Sequence, residues 1–166
     1  MCFFFFFSAG YCVITYILGI GDRHMDNLLL STSGKMVHID FGFILGKDPK
    51  LFPPPMKISL EMVQAMGGME SNDFRKFRGY CFTVFNTLRK SANLILNLIS
   101  LMTDSNVQDI RDDPDKAVMK VQENFQLQKT DEEAIQYFRE QINFSVSALF
   151  PQVFDAVHKW AQYWRK

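Results

Sequence analysis

The chain has 166 residues, 48% of them hydrophobic, and its 18 basic and 18 acidic side chains cancel to a formal net charge of zero. That length supports one domain with its own core, and the charge balance offers no bulk attraction for a nucleic-acid polyanion or an acidic partner. Three cysteines, Cys2, Cys12 and Cys81, have no metal-ligand spacing and cannot all pair, which fits free thiols in a reducing compartment.

Residues 2–21 carry no charge. Such a stretch is long enough to span a bilayer or to act as a signal peptide. Against a signal peptide, no basic residue precedes it. Against a span, Asp22, Arg23 and His24 follow at once. A helix over residues 10–20, buried on all sides, explains the apolarity as well, with Gly19 and Gly21 ending it and turning the backbone. Next come Leu28-Leu29-Leu30, a Ser31-Thr32-Ser33-Gly34-Lys35 turn and Met36-Val37-His38-Ile39. Gly and Ser break two short apolar runs, so this reads as a β-hairpin.

The hairpin joins two polar motifs, Gly21-Asp22-Arg23-His24-Met25-Asp26-Asn27 and His38-Ile39-Asp40-Phe41-Gly42. Its pairing places Asn27 and Asp40 at one end of the two strands, close enough to share a cation. Magnesium takes oxygen ligands and usually only one or two protein carboxylates beside substrate phosphates, which an Asn carbonyl and an Asp carboxylate satisfy. Phosphoryl transfer needs such a pair and a base for the attacking hydroxyl. His24 suits the base because an imidazole titrates near working pH. Asp22 orients it or shares the proton, Arg23 braces the loop, and Asp26 has no assigned role. An isolated Asp-Phe-Gly is a weak signal, and His38 on a strand is structural. Both motifs, in this order and joined by a short hairpin, are far more specific.

Residues 42–58 lack sustained periodicity and contain Pro53-Pro54-Pro55, which forbids helix and forces extended backbone. A loop this long in a compact domain is usually functional. Within it Gly42–Asp48 imitates a phosphate-binding loop but is one residue short and lacks Ser or Thr after Lys47, so we reject it. Lys47, Lys50 and Lys57 are offset by Asp48 alone. Three scattered lysines fit a substrate with a single phosphate better than one carrying several.

Residues 59–66 read as a short helix stopped by Gly67-Gly68. Residues 72–91 carry Phe74, Phe77, Cys81, Val84, Phe85 and Leu88 at helical spacing, with Arg75, Lys76, Arg78, Arg89 and Lys90 mostly opposite. Residues 93–102 read as a mostly buried helix and 104–113 as a polar loop. Asp113-Pro114 caps a helix running to about Leu127, with Val118, Val121 and Phe125 inward. Thr130-Asp131-Glu132-Glu133 is a capping box opening a last helix over about 131–166, with Ile135, Phe138, Ile142, Val146, Leu149, Val153, Val157 and Trp160 on its apolar stripe and a kink at Pro151. The fold class is therefore α+β, mostly α.

The two motifs resemble the catalytic and activation loops of phosphatidylinositol 3-kinases. Protein kinases carry His-Arg-Asp with the Asn five places on; here the order is reversed and the Asn is nearer. Gly10-Tyr11-Cys12-Val13-Ile14-Thr15-Tyr16-Ile17-Leu18-Gly19, the loop ending Pro53-Pro54-Pro55-Met56-Lys57, Asn93-Leu94-Ile95-Leu96-Asn97-Leu98 and Ala161-Gln162-Tyr163-Trp164-Arg165-Lys166 are similar to the class III enzymes. The resemblance implies the C-terminal lobe of a protein-kinase-like fold over residues 10–166, with a catalytic loop at 21–27 and an activation loop at 40–58. It implies ATP as donor, Mg2+ or Mn2+ on Asn27 and Asp40, and His24, Asp22 and Arg23 as the catalytic set. Lys47, Lys50 and Lys57 would bind phosphatidylinositol, and Trp160, Tyr163, Trp164, Arg165 and Lys166 would touch the membrane. Implied partners are a regulatory pseudokinase subunit and coiled-coil scaffold subunits, on endosomal or autophagic membranes reached from the cytoplasm. The first seven residues depart from the resemblance, and the atypical stretch 1–9 reads as an artefact of gene assembly. No stretch before Gly10 can form the small β-rich lobe, so the chain alone is expected to be inactive. The alternatives are a phosphatidylinositol 4-kinase, a protein kinase of the same superfamily, or a non-catalytic binding fragment.

Trp and Tyr favour the bilayer interface, and Lys and Arg favour anionic head groups. The double substitution Trp160→Ala, Trp164→Ala is expected to weaken vesicle binding in a flotation assay; unchanged binding and lipid turnover would refute a membrane role for the terminal run.

Overall fold

The computed structural model describes residues 2–149. The expected Pro151 kink and the run from Trp160 to Lys166 lie outside them. Helix α1 spans Cys2–Ile17, a two-stranded antiparallel sheet pairs β1 (Leu28–Leu30) with β2 (Met36–His38), and six helices follow: α2 (Leu60–Ala65), α3 (Asn72–Lys90), α4 (Ala92–Ser100), α5 (Gln108–Asp112), α6 (Pro114–Phe125) and α7 (Asp131–Ser147). The expectation of a mostly helical chain with a small hairpin holds.

Helix α1 differs from expectation at both ends and in its burial. It includes the phenylalanine run, and Phe5 is buried. Ala9, Cys12, Val13, Tyr16 and Ile17 form one buried stripe, whereas Phe6 is 58% and Ile14 44% exposed, so the helix packs by one face. No helix among the described residues is long and apolar enough to cross a membrane. Burial pushes the Cys12 thiol up to about 12, and Cys12 and Cys81 are free.

The core is organised around α3. Phe74, Phe77, Cys81 and Phe85 are fully buried at i, i+3, i+7 and i+11. They meet α1 and α7 through aromatic contacts: Phe85 stacks on Phe138 at 4.2 Å, and Tyr16 meets Phe138 edge-on at 5.1 Å. Arg89, at the end of α3, donates to the carbonyls of Phe125, Gln126 and Lys129 and pairs with Asp131. That satisfies the carbonyls left over at the end of α6.

Two capping signals act as read: Asp113 accepts from the Lys116 amide, and Thr130 with Glu133 forms both bonds of the capping box. The structure adds two caps, Ser59 accepting from the Met62 amide and Ser71 from the Phe74 amide. Three readings need correction. Helix α4 is half-exposed rather than buried, with Leu94, Leu98 and Leu101 turned outward. The expected polar loop contains α5, anchored by the single buried Ile110. In α6 the inward position falls on Ala117, with Val118 only partly buried, and the helix ends at Phe125 because Gln126 adopts the left-handed conformation.

In the hairpin, Leu28 pairs with His38 and Leu30 with Met36. Met36 and His38 face inward and Val37 outward. His38 stacks on Tyr11 of α1 at 4.2 Å and 1°. Burial, with help from Arg23, lowers its pKa to about 4, so this imidazole is neutral packing, as a structural role requires.

Phe138 sits in the aromatic stack with no exposure. Phe138→Ala should cost about 3–5 kcal/mol of unfolding free energy in chemical denaturation, the usual range for emptying such a site.

Candidate functional site

Two loops meet where α1 ends. The carbonyls of Leu18 and Gly19 accept from the amides of Leu45 (3.0 Å) and Gly46 (2.8 Å), and the Gly21 amide donates to the Phe43 carbonyl (2.9 Å). This short ladder requires close backbone approach. A Cβ on Gly19 would lie 2.5 Å from the Gly46 nitrogen, and one on Gly21 would lie 2.1 Å from the Lys47 carbonyl oxygen. Gly19 is also left-handed, but Gly21 is not, so Gly21 is required for proximity rather than for a turn. Asn124 of α6 donates to the carbonyls of Tyr16 and Ile17 at 3.0 and 3.1 Å, holding the end of α1. The rejected phosphate-loop imitation uses its Leu45 and Gly46 amides in this ladder, and no helix starts directly after it, the next being α2 at Leu60.

Arg23 joins the two motifs. Its guanidinium donates to the carbonyls of Gly21 (2.9 Å), Ile39 (2.7 Å) and Asp40, and lies over the Phe41 ring at 5.2 Å. Burial lowers its pKa, opposed by the Asp22 and Asp40 carboxylates. Asp22 and Asp40 are both left-handed, with φ of 51° and 57°, a conformation costing roughly 1–2 kcal/mol for an L residue and best tolerated by Asn and Asp. Asn27, on a 3-10 turn spanning Met25–Asn27, is buried. Its carbonyl accepts from the Ile39 amide at 3.0 Å, which extends the hairpin pairing and sets Asn27 beside Asp40.

Asn27 Nδ2 donates to the Asp22 carbonyl at 2.7 Å and lies 3.3 Å from His24 Nε2. This leaves Asn27 Oδ1 for a cation. Asp40 accepts the Gly42 amide through Oδ1 at 3.2 Å, leaving its second oxygen. Two oxygen donors from the segments that flank the hairpin, one before β1 and one after β2, suit Mg2+ or Mn2+, which keep several waters and take few protein ligands. His24 is half-exposed, with Nε2 at 3.7 Å from Asp22 and Nδ1 at 3.7 Å from Asp26. Asp26 thus lies within electrostatic reach of the imidazole.

His24 opens onto a cavity of about 600 Å³ lined by Arg23, Asp48, Lys50, Phe52, Lys57 and, from α7, Phe144. Of the three loop lysines, the structure brings two here. Lys47 instead pairs with Asp109 outside this cavity. Lys57 is 11% exposed and donates to Asp48 (2.9 Å) and the Pro54 carbonyl (3.2 Å). Lys50 makes no ion pair with a described residue. The even distribution of three lysines read from sequence therefore reduces to one uncommitted cation.

Asp48 was read only as a charge offset, yet its carboxylate is 5% exposed and accepts the amides of Asp22 (3.1 Å) and Lys50 (2.9 Å) together with Lys57 Nζ. Burial pushes its pKa up, but these hydrogen bonds and the Lys57 charge outweigh it and leave the carboxyl below its ordinary range. The available signal was that Asp48 is the single acid among three lysines and precedes a proline. Trp160, Tyr163, Trp164, Arg165 and Lys166 lie outside the described residues.

Residues 5–112 match the profile of the family described as phosphatidylinositol 3- and 4-kinase. The chain belongs to this family of lipid kinases. Its resemblance within the family is to phosphatidylinositol 3-kinases. It is 61% identical over 157 residues to the root isoform of Glycine max, 60% to the phosphatidylinositol 3-kinase VPS34 of Arabidopsis thaliana, and 59% to the phosphatidylinositol 3-kinase pik3 of Schizosaccharomyces pombe. Each alignment covers 95% of this chain but only 19–20% of the relative. The chain spans about a fifth of the length of the curated relatives it matches.

Gly21→Ala should part the ladder between the two loops. The expected readout is faster limited proteolysis after Lys47 and Lys50 than in the parent protein.

Proposed function

We propose that the chain is the C-terminal lobe of a class III phosphatidylinositol 3-kinase, with a catalytic loop at residues 21–27, an activation loop at 40–58 and an ATP-dependent activity on the 3-hydroxyl of phosphatidylinositol. The observation that carries this reading is the Arg23 clamp. It ties the Asp-Arg-His-x-x-Asn loop to the Asp-Phe-Gly segment at one end of the hairpin, while Arg23 and His24 themselves line the cavity.

Asn27 and Asp40 would hold Mg2+ or Mn2+, which when bound neutralises charge on the phosphates of ATP. His24 is the candidate base for the proton of the attacking inositol hydroxyl. Asp22 and Asp26 offset the charge the ring gains when that proton arrives. Arg23 holds the loop. Lys50 is the loop cation left to meet the bridging phosphodiester. Additional head-group phosphates would find no further uncommitted lysine from the loop, because Lys57 and Lys47 are engaged. This favours unphosphorylated phosphatidylinositol. On this reading the protein works from the cytoplasm on endosomal or autophagic membranes, with a regulatory pseudokinase subunit and coiled-coil scaffold subunits. The terminal Trp160, Tyr163, Trp164, Arg165 and Lys166 are its further membrane contacts.

The test is the full-length kinase carrying this chain, assayed with ATP and Mg2+ on vesicles of phosphatidylinositol, its 4-phosphate or its 4,5-bisphosphate, and on peptides. Phosphatidylinositol should be the best substrate and the 3-phosphate its product. His24→Ala should lower kcat by roughly 10²–10⁴, the usual weight of a general base. Faster turnover of the bisphosphate, a 4-phosphate product or preference for peptides would replace this reading with one of its relatives.

A further inference from the structure

We propose that Asp48 is a positioning residue for the catalytic loop: with Lys57 it forms a buried clasp that fixes the Asp22 peptide, and through it Asn27 and His24. The inference rests on the kinase reading above.

Three donors from three places converge on one carboxylate: the Asp22 amide, the Lys50 amide and Lys57 Nζ. Asp48 and Lys57 side chains are only 5% and 11% exposed. A buried ion pair is a poor means to stability, since desolvation offsets its attraction. What the pair provides here is a fixed geometry. Asp22 is left-handed, and its amide finds its acceptor on Asp48. The Asp22 carbonyl accepts from Asn27 Nδ2. The residue is therefore held on both sides, and a rotation that released its amide would also shift the Asn27 amide and the contact between Nδ2 and His24 Nε2.

The prolines explain how Lys57 arrives. Pro53, Pro54 and Pro55 each have φ fixed by the ring, so this segment has little conformational entropy left to lose. The Pro54 carbonyl then takes a second bond from Lys57 Nζ. At the other side, Gly21 leaves room for the Asp48 backbone, since a Cβ there would lie 3.0 Å from the Asp48 Cα. The loop after Asp-Phe-Gly thus reaches the catalytic residues by a continuous path from Lys57 through Asp48 and Asp22 to Asn27 and His24.

The experiment compares Asp48→Asn, Lys57→Met, Lys57→Arg and the double variant Asp48→Asn, Lys57→Met in the full-length kinase. It measures kcat and KM on phosphatidylinositol vesicles, thermal stability, and hydrogen exchange of the amides of residues 20–27. Asp48→Asn should lower kcat by roughly tenfold to a hundredfold, as small misplacements of reacting groups do, with the KM for ATP little changed. Lys57→Met should match it. The double variant should be no worse than either, because the two act as one unit, and Lys57→Arg should restore most activity. Exchange at Asp22 should rise in Asp48→Asn and stay at the parent level in Lys57→Arg. Parent-like kcat or parent-like Asp22 exchange in Asp48→Asn would overturn the inference, as would additive losses in the double variant. A parent enzyme inactive on every lipid would defeat the kinase reading instead, while the exchange measurement would still decide the clasp.

Discussion

The site depends on a guanidinium that reaches three main-chain carbonyls at once. Arg23 spans from Gly21 on its own loop to Ile39 and Asp40 at the end of β2. A planar fork with five donors suits such a span, whereas an ammonium on a flexible stem concentrates its donors at one point. Remove that bridge, and the hairpin still pairs Leu28 with His38. The two carboxylate-bearing turns beyond the pairing would then lose their common anchor.

Holding those turns has a conformational cost. Asp22 and Asp40 both adopt the left-handed region, which L residues occupy only where surrounding bonds over-determine it. At Asp22 those bonds are the Asp48 carboxylate and the Asn27 amide. At Asp40 they are the Arg23 contact and the side chain's own bond to the Gly42 amide. The cost falls on residues of the candidate site, while the scaffold beneath follows ordinary rules. There α3 buries a phenylalanine stripe, capped ends satisfy their amides, and His38 serves as a neutral stacked ring.

The same arrangement explains why the loop's basic residues are unequal. Lys57 is drawn inward by Asp48, Lys47 outward by Asp109, and Lys50 stays uncommitted among the described residues at the cavity. Nothing in residue type separates the three. Their differences come from partners that are remote in sequence, nine residues away for Lys57 and 62 for Lys47.

The sequence by itself determined what rests on neighbours three or four positions apart. The caps at Asp113 and Thr130 and the hairpin turn read correctly because their bonds close within a few residues, and the stripe along α3 because helical period repeats it. It also placed Asn27 and Asp40 at one end of the hairpin, since strand pairing fixes register. Tertiary structure alone decided the one-sided burial of α1, the outward leucines of α4, the close approach at Gly21 and the convergence of donors on Asp48. Those depend on which distant backbone arrives within hydrogen-bonding or van der Waals range, 26 residues away in the case of Asp22 and Asp48. Neither hydrophobic period nor motif spacing encodes that arrival.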